Sequence, residues 1–299
     1  MENLKITIVG AGRVGTTIAY SISSSEDPKT QLKCVVSRTK KSLDRAKSII
    51  GKKDIIYKTE TSNILSHSNC ILITTPDDLI KEICEKIFTK RQKQEDVFVI
   101  NFSGSKSLNV LEAAKQKGAN IGCLHPIKSF ASIKEAISTL KGTVFGITYS
   151  SQKMKEVLAF MVDLFGGSFI EVENNKKPLY HASACIASNY LVTLLNFAVE
   201  VNKKIGIKPD DSVKALMGLI EGTIENVKKM GTKKSLTGPI ARGDTGTIKE
   251  HLENFNKYFK EGSKTYKFMG KETAVIAYQN GWIDKKTFEK LTKLLEGKV

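Results

Sequence analysis

Arginine is scarce in this chain. Only five of its 47 basic residues are arginine (Arg13, Arg38, Arg45, Arg91 and Arg242), so the formal charge of +16 is carried almost wholly by lysine. The lysines are spread along helical segments rather than gathered into one tract with interleaved aromatics. They read as a solvated surface with a general attraction for anionic ligands, not as a nucleic-acid interface. Cysteine is sparse and unpaired. Cys34, Cys70, Cys84, Cys123 and Cys185 form no C-x-x-C pair, and four lie inside apolar runs, where a reduced thiol packs as a small hydrophobe. That pattern excludes a disulfide framework and a zinc site, so no metal is expected, and it fits a reducing, cytoplasmic compartment. No uninterrupted apolar run approaches the roughly 20 residues that a bilayer span needs. The first residues lead directly into strand-forming sequence rather than into a signal peptide. A soluble protein with no membrane partner is therefore expected.

What is present is a change of rhythm. With 299 residues and 40% apolar residues, the chain is long enough for two domains, each with its own core. Up to about residue 172, short β-rich runs alternate with amphipathic stretches, the pattern of a mostly parallel α/β sheet. The spacing predicts strands at 5–9, 32–37, 55–57, 70–74, 97–101, 121–124, 144–148 and 169–172. It predicts helices at 13–24, 41–50 and 154–165. Beyond Asn174 the apolar period becomes helical and long, over 182–201, 212–230, 245–259 and 272–280. The expected organisation is an α/β domain over 1–173 and an all-α domain over 174–299, divided near 172–176.

The first strand-to-helix junction carries Gly10-Ala11-Gly12-Arg13-Val14-Gly15, a G-x-G-x-x-G fingerprint. Gly10 permits the tight turn, Gly12 lets backbone N–H groups approach a pyrophosphate, and Gly15 lets helix and strand pack closely. The helix N-terminus adds positive potential. The second strand of an NAD-binding Rossmann fold usually ends in Asp or Glu, which accepts from the ribose 2′-OH. Here it ends in Ser37-Arg38-Thr39-Lys40-Lys41, without a carboxylate. Arg38 suits a bidentate fork on a 2′-phosphate, with Ser37 and Thr39 as further donors. NADPH is the expected cofactor. Thr74-Thr75-Pro76 and Asn101-Phe102-Ser103 end later strands, on the edge where a Rossmann sheet meets its cofactor.

Three further segments carry candidate chemistry. Leu124-His125-Pro126-Ile127-Lys128-Ser129 follows a strand, so His125 and Lys128 are candidate proton donors and Ser129 a donor to substrate. His181, Cys185 and Asn189 recur every four residues and so share a helix face. Arg242, in the glycine-rich break Leu236–Thr247, suits a substrate carboxylate, and the adjacent Asp244 is placed to cap the next helix.

Taken together, GAGRVG, Ser37-Arg38-Thr39, LHPIKSF, YHASACIASNY and LTGPIARGDTGT resemble a family of Rossmann-like proteins. The second half of that family is a helical domain long labelled as of unknown function. The resemblance spans nearly the whole chain. The wider clan includes 6-phosphogluconate dehydrogenase, pyrroline-5-carboxylate reductase and ketopantoate reductase. The resemblance implies an NADPH-dependent ketopantoate reductase of pantothenate synthesis, and the clan implies a homodimer. Familiar ketopantoate reductases carry a Lys-x-x-x-Asn pair whose lysine is the general acid. Asn189 matches the asparagine, but Cys185 stands in the lysine's place, so the acid is Lys128, His125 or His181, or the substrate differs. In this reading the 2-oxo acid binds between the domains, with Arg242 on its carboxylate and Asn189, Ser129 and Ser103 orienting its carbonyl. Reduction of an imine, as in pyrroline-5-carboxylate reductase, and a non-catalytic NADPH-binding protein are the alternatives.

Overall fold

The apolar runs of the first half become the strands of one sheet. A computed structural model describes residues 3–52, 54–89 and 94–297. Among them, eight strands are ordered β3-β2-β1-β4-β5-β6-β7-β8. They are β1 (Leu4–Val9), β2 (Thr30–Val36), β3 (Ile56–Lys58), β4 (Cys70–Ile73), β5 (Phe98–Asn101), β6 (Asn120–Pro126), β7 (Val144–Tyr149) and β8 (Ser168–Glu171). β1 to β6 are parallel; β7 runs antiparallel to β6 and parallel to β8. β4 and β5 are buried at every position, because helices cover both faces of a parallel sheet. Alternate residues therefore feed two cores: Leu72, Phe98 and Ile100 point into one, Ile71, Ile73 and Val99 into the other.

The chain order places the site. It builds outward from β1 through β2 to β3, then crosses back to lay β4 on the other side of β1. The reversal opens a crevice at the carboxyl ends of β1 and β4, where open α/β sheets bind ligands. The helices of this half are α1 (Arg13–Ser24), α2 (Lys40–Ile50), α3 (Ile80–Ile87), α4 (Glu112–Lys115), α5 (Ile133–Ser138), α6 (Gln152–Leu164) and α7 (Lys177–Cys185). A π-helical turn, Ile186–Tyr190, follows α7.

The chain divides into two compact units, Met1–Asn189 and Tyr190–Val299. Strands stop at Glu171, and the first unit reaches one helix further, through α7. The second unit is helical throughout: α8 (Leu191–Lys204), α9 (Pro209–Lys234), α10 (Thr245–Tyr258), α11 (Ser263–Gln279) and α12 (Lys285–Glu296). Its core gathers Ile248, Leu252, Ala274, Ala277, Leu291 and Leu295 from the last three helices. Asp244 caps α10 and Asp284 caps α12, each accepting from a backbone N–H three residues on. α8 and α9 keep many apolar side chains in solvent: Val192 is 66% exposed and Leu219 69%.

One expectation, that no apolar stretch is long enough to span a bilayer, needs correction. The helical run Asn174–Lys204 contains an 18-residue window of mean hydropathy 1.5, which by length and composition is enough to cross a bilayer. A search for unbroken apolar runs misses it, because Ser, Thr, Asn and His interrupt the pattern without adding charge.

Candidate active site

The glycine loop has the geometry its sequence requires. Gly10 sits at φ +118°, and a Cβ there would lie 2.8 Å from the Thr74 carbonyl carbon. A Cβ at Gly15 would stand 1.8 Å from the Gly10 oxygen, so α1 could not approach β1 with any larger residue. Gly12 faces open space instead. It is the N-cap of α1 and has no side chain to bond the first-turn N–H groups, which therefore stay available to an anion. Two side chains brace the loop: the Thr74 hydroxyl donates to Gly10 O (2.7 Å) and Arg45 donates to Ala11 O (2.9 Å).

Beside this loop lies a cavity of about 580 Å³, lined by Gly10, Gly12, Ser37, Arg38, Thr39, Thr74, Thr75 and Pro76 among others. Most of the cofactor residues expected from sequence thus converge on one wall. Arg38 is exposed, and its guanidinium has no hydrogen bond or ion pair among the described residues. The Thr39 hydroxyl accepts from Ser42 N (3.3 Å) and so caps α2. The Thr75 hydroxyl is buried and has no hydrogen-bond partner among the described residues, and the same holds for those of Ser23, Tyr57 and Ser263. Of these four residues, Thr75 is the one on the wall of this cavity, where a polar ligand would complete it. Open backbone at Gly12, an uncommitted cation at Arg38 and an orphan hydroxyl at Thr75 fit a dinucleotide carrying a 2′-phosphate. Arg13 points elsewhere and donates to Phe130 O (3.3 Å), while Val14 packs against the core.

Next to Pro76 the wall becomes a polar cluster. Asp77 accepts from the hydroxyls of Ser103 (2.7 Å) and Ser105 (2.9 Å). Asn101 Oδ1 accepts from Ser103 N (3.0 Å), which fixes the turn after β5. The Ser103 carbonyl receives the buried Lys177 ammonium (2.9 Å) and the Cys123 thiol (3.1 Å). Two residues along β6 from Cys123, and so on the same face, His125 Nδ1 bonds the Tyr180 hydroxyl at 2.8 Å. The His181 ring lies edge-on to His125 at 5.9 Å, and its Nδ1 is 3.7 Å from Cys185 Sγ. Glycines make the approach possible. A Cβ at Gly104 would strike both imidazoles, and one at Gly146 would lie within 2.3 Å of the Tyr180 oxygen.

These surroundings set protonation. Burial first, then electrostatic interaction with Lys177 and His181, depresses His125 to about 4, against a smaller opposite pull from Asp77. Burial, helped by the Cys123 sulfur, pushes the Tyr180 phenol up to about 12. At neutral pH the pair is therefore a neutral imidazole hydrogen-bonded to a neutral phenol.

The structure thus gathers Ser103, His125 and His181, although the Ser103 hydroxyl is already committed to Asp77. Lys128 and Ser129 continue the chain past β6, half-buried and exposed, and neither side chain bonds the His125 cluster. Asn189 lies exposed in the π-helical turn. Arg242 belongs to the other unit, exposed in a tight loop whose backbone N–H donates to Pro239 O (3.2 Å). Sequence reasoning passed over Asp77, Cys123, Lys177 and Tyr180 as members of this cluster. One signal was there: the four-residue stripe His181-Cys185-Asn189 extends back one turn to Lys177.

Comparison with known proteins agrees with this geometry. Residues 1–126 match the Rossmann-like domain family. The first half is a Rossmann-like domain. Residues 143–273 match a family described as a domain of unknown function, DUF2520. No curated protein matches the sequence significantly. Among solved structures, a Bacteroides fragilis protein described as an NADP oxidoreductase superposes with a TM-score of 0.70 at 20% identity, over 91% of this chain and 98% of that one. Pyrroline carboxylate reductase of Plasmodium falciparum, solved with NADP bound, gives 0.58 at 15% identity over 98% and 99%. A reductive aminase of Aspergillus terreus, solved with NADPH, gives 0.58 at 13% over 99% and 93%. At these identities the likeness is one of fold.

Proposed function

We propose that the chain is an NADPH-dependent reductase of a small 2-oxo acid, with ketopantoate as the first substrate to test. The observation that carries this reading is the adjacency of two features in one unit. A cavity with Arg38, the orphan Thr75 hydroxyl and Pro76 on its wall is followed in the chain by Asp77, which bonds Ser103 of the half-buried His125–Tyr180 cluster around Lys177. Bound in that cavity, NADPH supplies a hydride. The chain's own residues do the rest: Arg38 and Ser37 hold the 2′-phosphate, and the first turn of α1 receives the diphosphate at Gly12. His125, held neutral with Nδ1 on the Tyr180 hydroxyl, offers a hydrogen bond to the oxygen on which charge develops, and the proton that completes the alcohol comes from solvent. A positioned hydrogen-bond donor of this kind contributes ~10²–10³ in rate. The resemblance of LTGPIARGDTGT and its companion motifs supports ketopantoate in particular.

A second reading, reduction of an imine, is favoured by the likeness to pyrroline carboxylate reductase and to the reductive aminase. Purified protein assayed with NADPH and NADH against ketopantoate, other 2-oxo acids and pyrroline-5-carboxylate separates the two. NADPH consumption with a 2-oxo acid is the expected result. Consumption with the imine alone establishes the second reading, and NADPH binding without turnover across the whole panel overturns both.

A further inference from the structure

Lysine is almost never fully buried without a carboxylate partner, because an unpaired charge in a low-dielectric interior is unfavourable. Lys177 departs from that rule. It is 1% exposed at the start of α7, and its ammonium donates to Ser103 O at 2.9 Å and to Cys123 Sγ at 3.0 Å. Neither partner is an anionic oxygen, and Lys177 forms no ion pair among the described residues. The charged and titratable groups around it are few. Asp77 acts on the same cluster, but its Oδ2 is already taken by Ser103 and Ser105. Cys123, His125, His181 and Tyr180 complete the set.

We propose that Lys177 is an electrostatic positioning residue that makes this site prefer a carbonyl substrate over a cationic imine. It acts in two ways. Its bond to the Ser103 carbonyl fastens the Ser103–Gly104 turn to β6, and that turn is the floor on which the two imidazoles rest. Its charge stands behind His125 with little solvent to screen it. Reduction of a ketone gathers negative charge on oxygen, which a fixed positive group stabilises. Reduction of a protonated imine consumes a positive charge, and the same field opposes binding that cation. The inference rests on the reductase reading and narrows its substrate class.

The test uses the full chain as wild type, Lys177→Met and Lys177→Arg. The kcat/KM of a 2-oxo acid is divided by that of a cyclic imine bearing the same carboxylate. Lys177→Met is expected to lower this ratio about tenfold or more, and Lys177→Arg to restore most of it. In parallel, the His125 imidazole, assigned by His125→Gln, is titrated by NMR. Its midpoint is expected to rise in Lys177→Met and to hold in Lys177→Arg. A folded Lys177→Met protein whose ratio stays within about twofold of wild type overturns the proposal. If the wild type reduces neither substrate class, the reductase reading fails on its own and the titration decides the rest: an unmoved midpoint removes the field, a raised one retains it. Should Lys177→Met not fold, Asp77→Asn is expected to raise the ratio by removing the opposing charge, and an unchanged ratio there overturns the proposal.

Discussion

At the scale of single residues, the site is defined by groups whose chemistry is left unspent. Among the described residues Arg38 is exposed without an ion pair and the Thr75 hydroxyl is buried without a partner, and the proposed cofactor would engage both. Arg38→Ala should weaken NADPH binding roughly tenfold or more while leaving NADH binding nearly unchanged, as fluorescence titration of the two cofactors would show. His125 yields a prediction about pH. Its folded-state value of about 4 lies below the ordinary 6.5, so in acid the unfolded chain takes up a proton that the folded chain refuses. Stability is whole above pH 6.5, falls as the pH drops toward 4, and levels off below. The loss is about 3 kcal/mol. Denaturant unfolding at several pH values should show that slope, and His125→Gln should flatten it.

At the scale of elements, close approach is the controlling constraint, and glycine supplies it. α1 reaches β1 only because Gly15 has no side chain. Gly15→Ala sets a methyl against backbone oxygen, which cannot swing aside, and should reach the upper end of the about 1–3 kcal/mol that overpacking costs. Gly146→Ala makes a different clash, against the far end of Tyr180. Its expected effect is on the His125–Tyr180 bond: a fall in kcat/KM with cofactor affinity preserved. Loss of cofactor binding in that variant would show that β7 supports the cavity instead. Legibility from sequence also varied by element. Every strand was readable: β1, β4 and β5 as buried, nearly continuous apolar runs, and the exposed β8 as a short β-rich stretch after the Gly166-Gly167 break. α4, α5 and α12 were not, since α4 and α5 are short and α12 presents a lysine-rich face interrupted by isolated leucines.

At the scale of the whole molecule, the surface of the helical unit is the outstanding feature. Apolar side chains of α8 and α9, Val192 and Leu219 among them, stay in solvent, and surface of that kind is usually covered. A homodimer is the expected state, measured by light scattering on purified protein. A monomer that instead partitions onto lipid vesicles would assign the apolar run Asn174–Lys204 to a membrane surface.

What the sequence determined by itself was the cofactor end of the site. The glycine turn, the helix start and the Ser37-Arg38-Thr39 edge are contiguous, and their chemistry depends on local backbone geometry and on the absence of a carboxylate. The proposed reacting end was decided by the tertiary structure. Asp77, Ser103, Cys123, His125, Lys177 and Tyr180 come from the ends of β4, β5 and β6 and from α7, and only the strand order brings them together. Burial then gives them properties that no linear pattern encodes: a lysine without a carboxylate, a histidine held neutral and a phenol pushed up. Desolvation acts on a group through everything packed around it, and that neighbourhood exists only once the chain has folded.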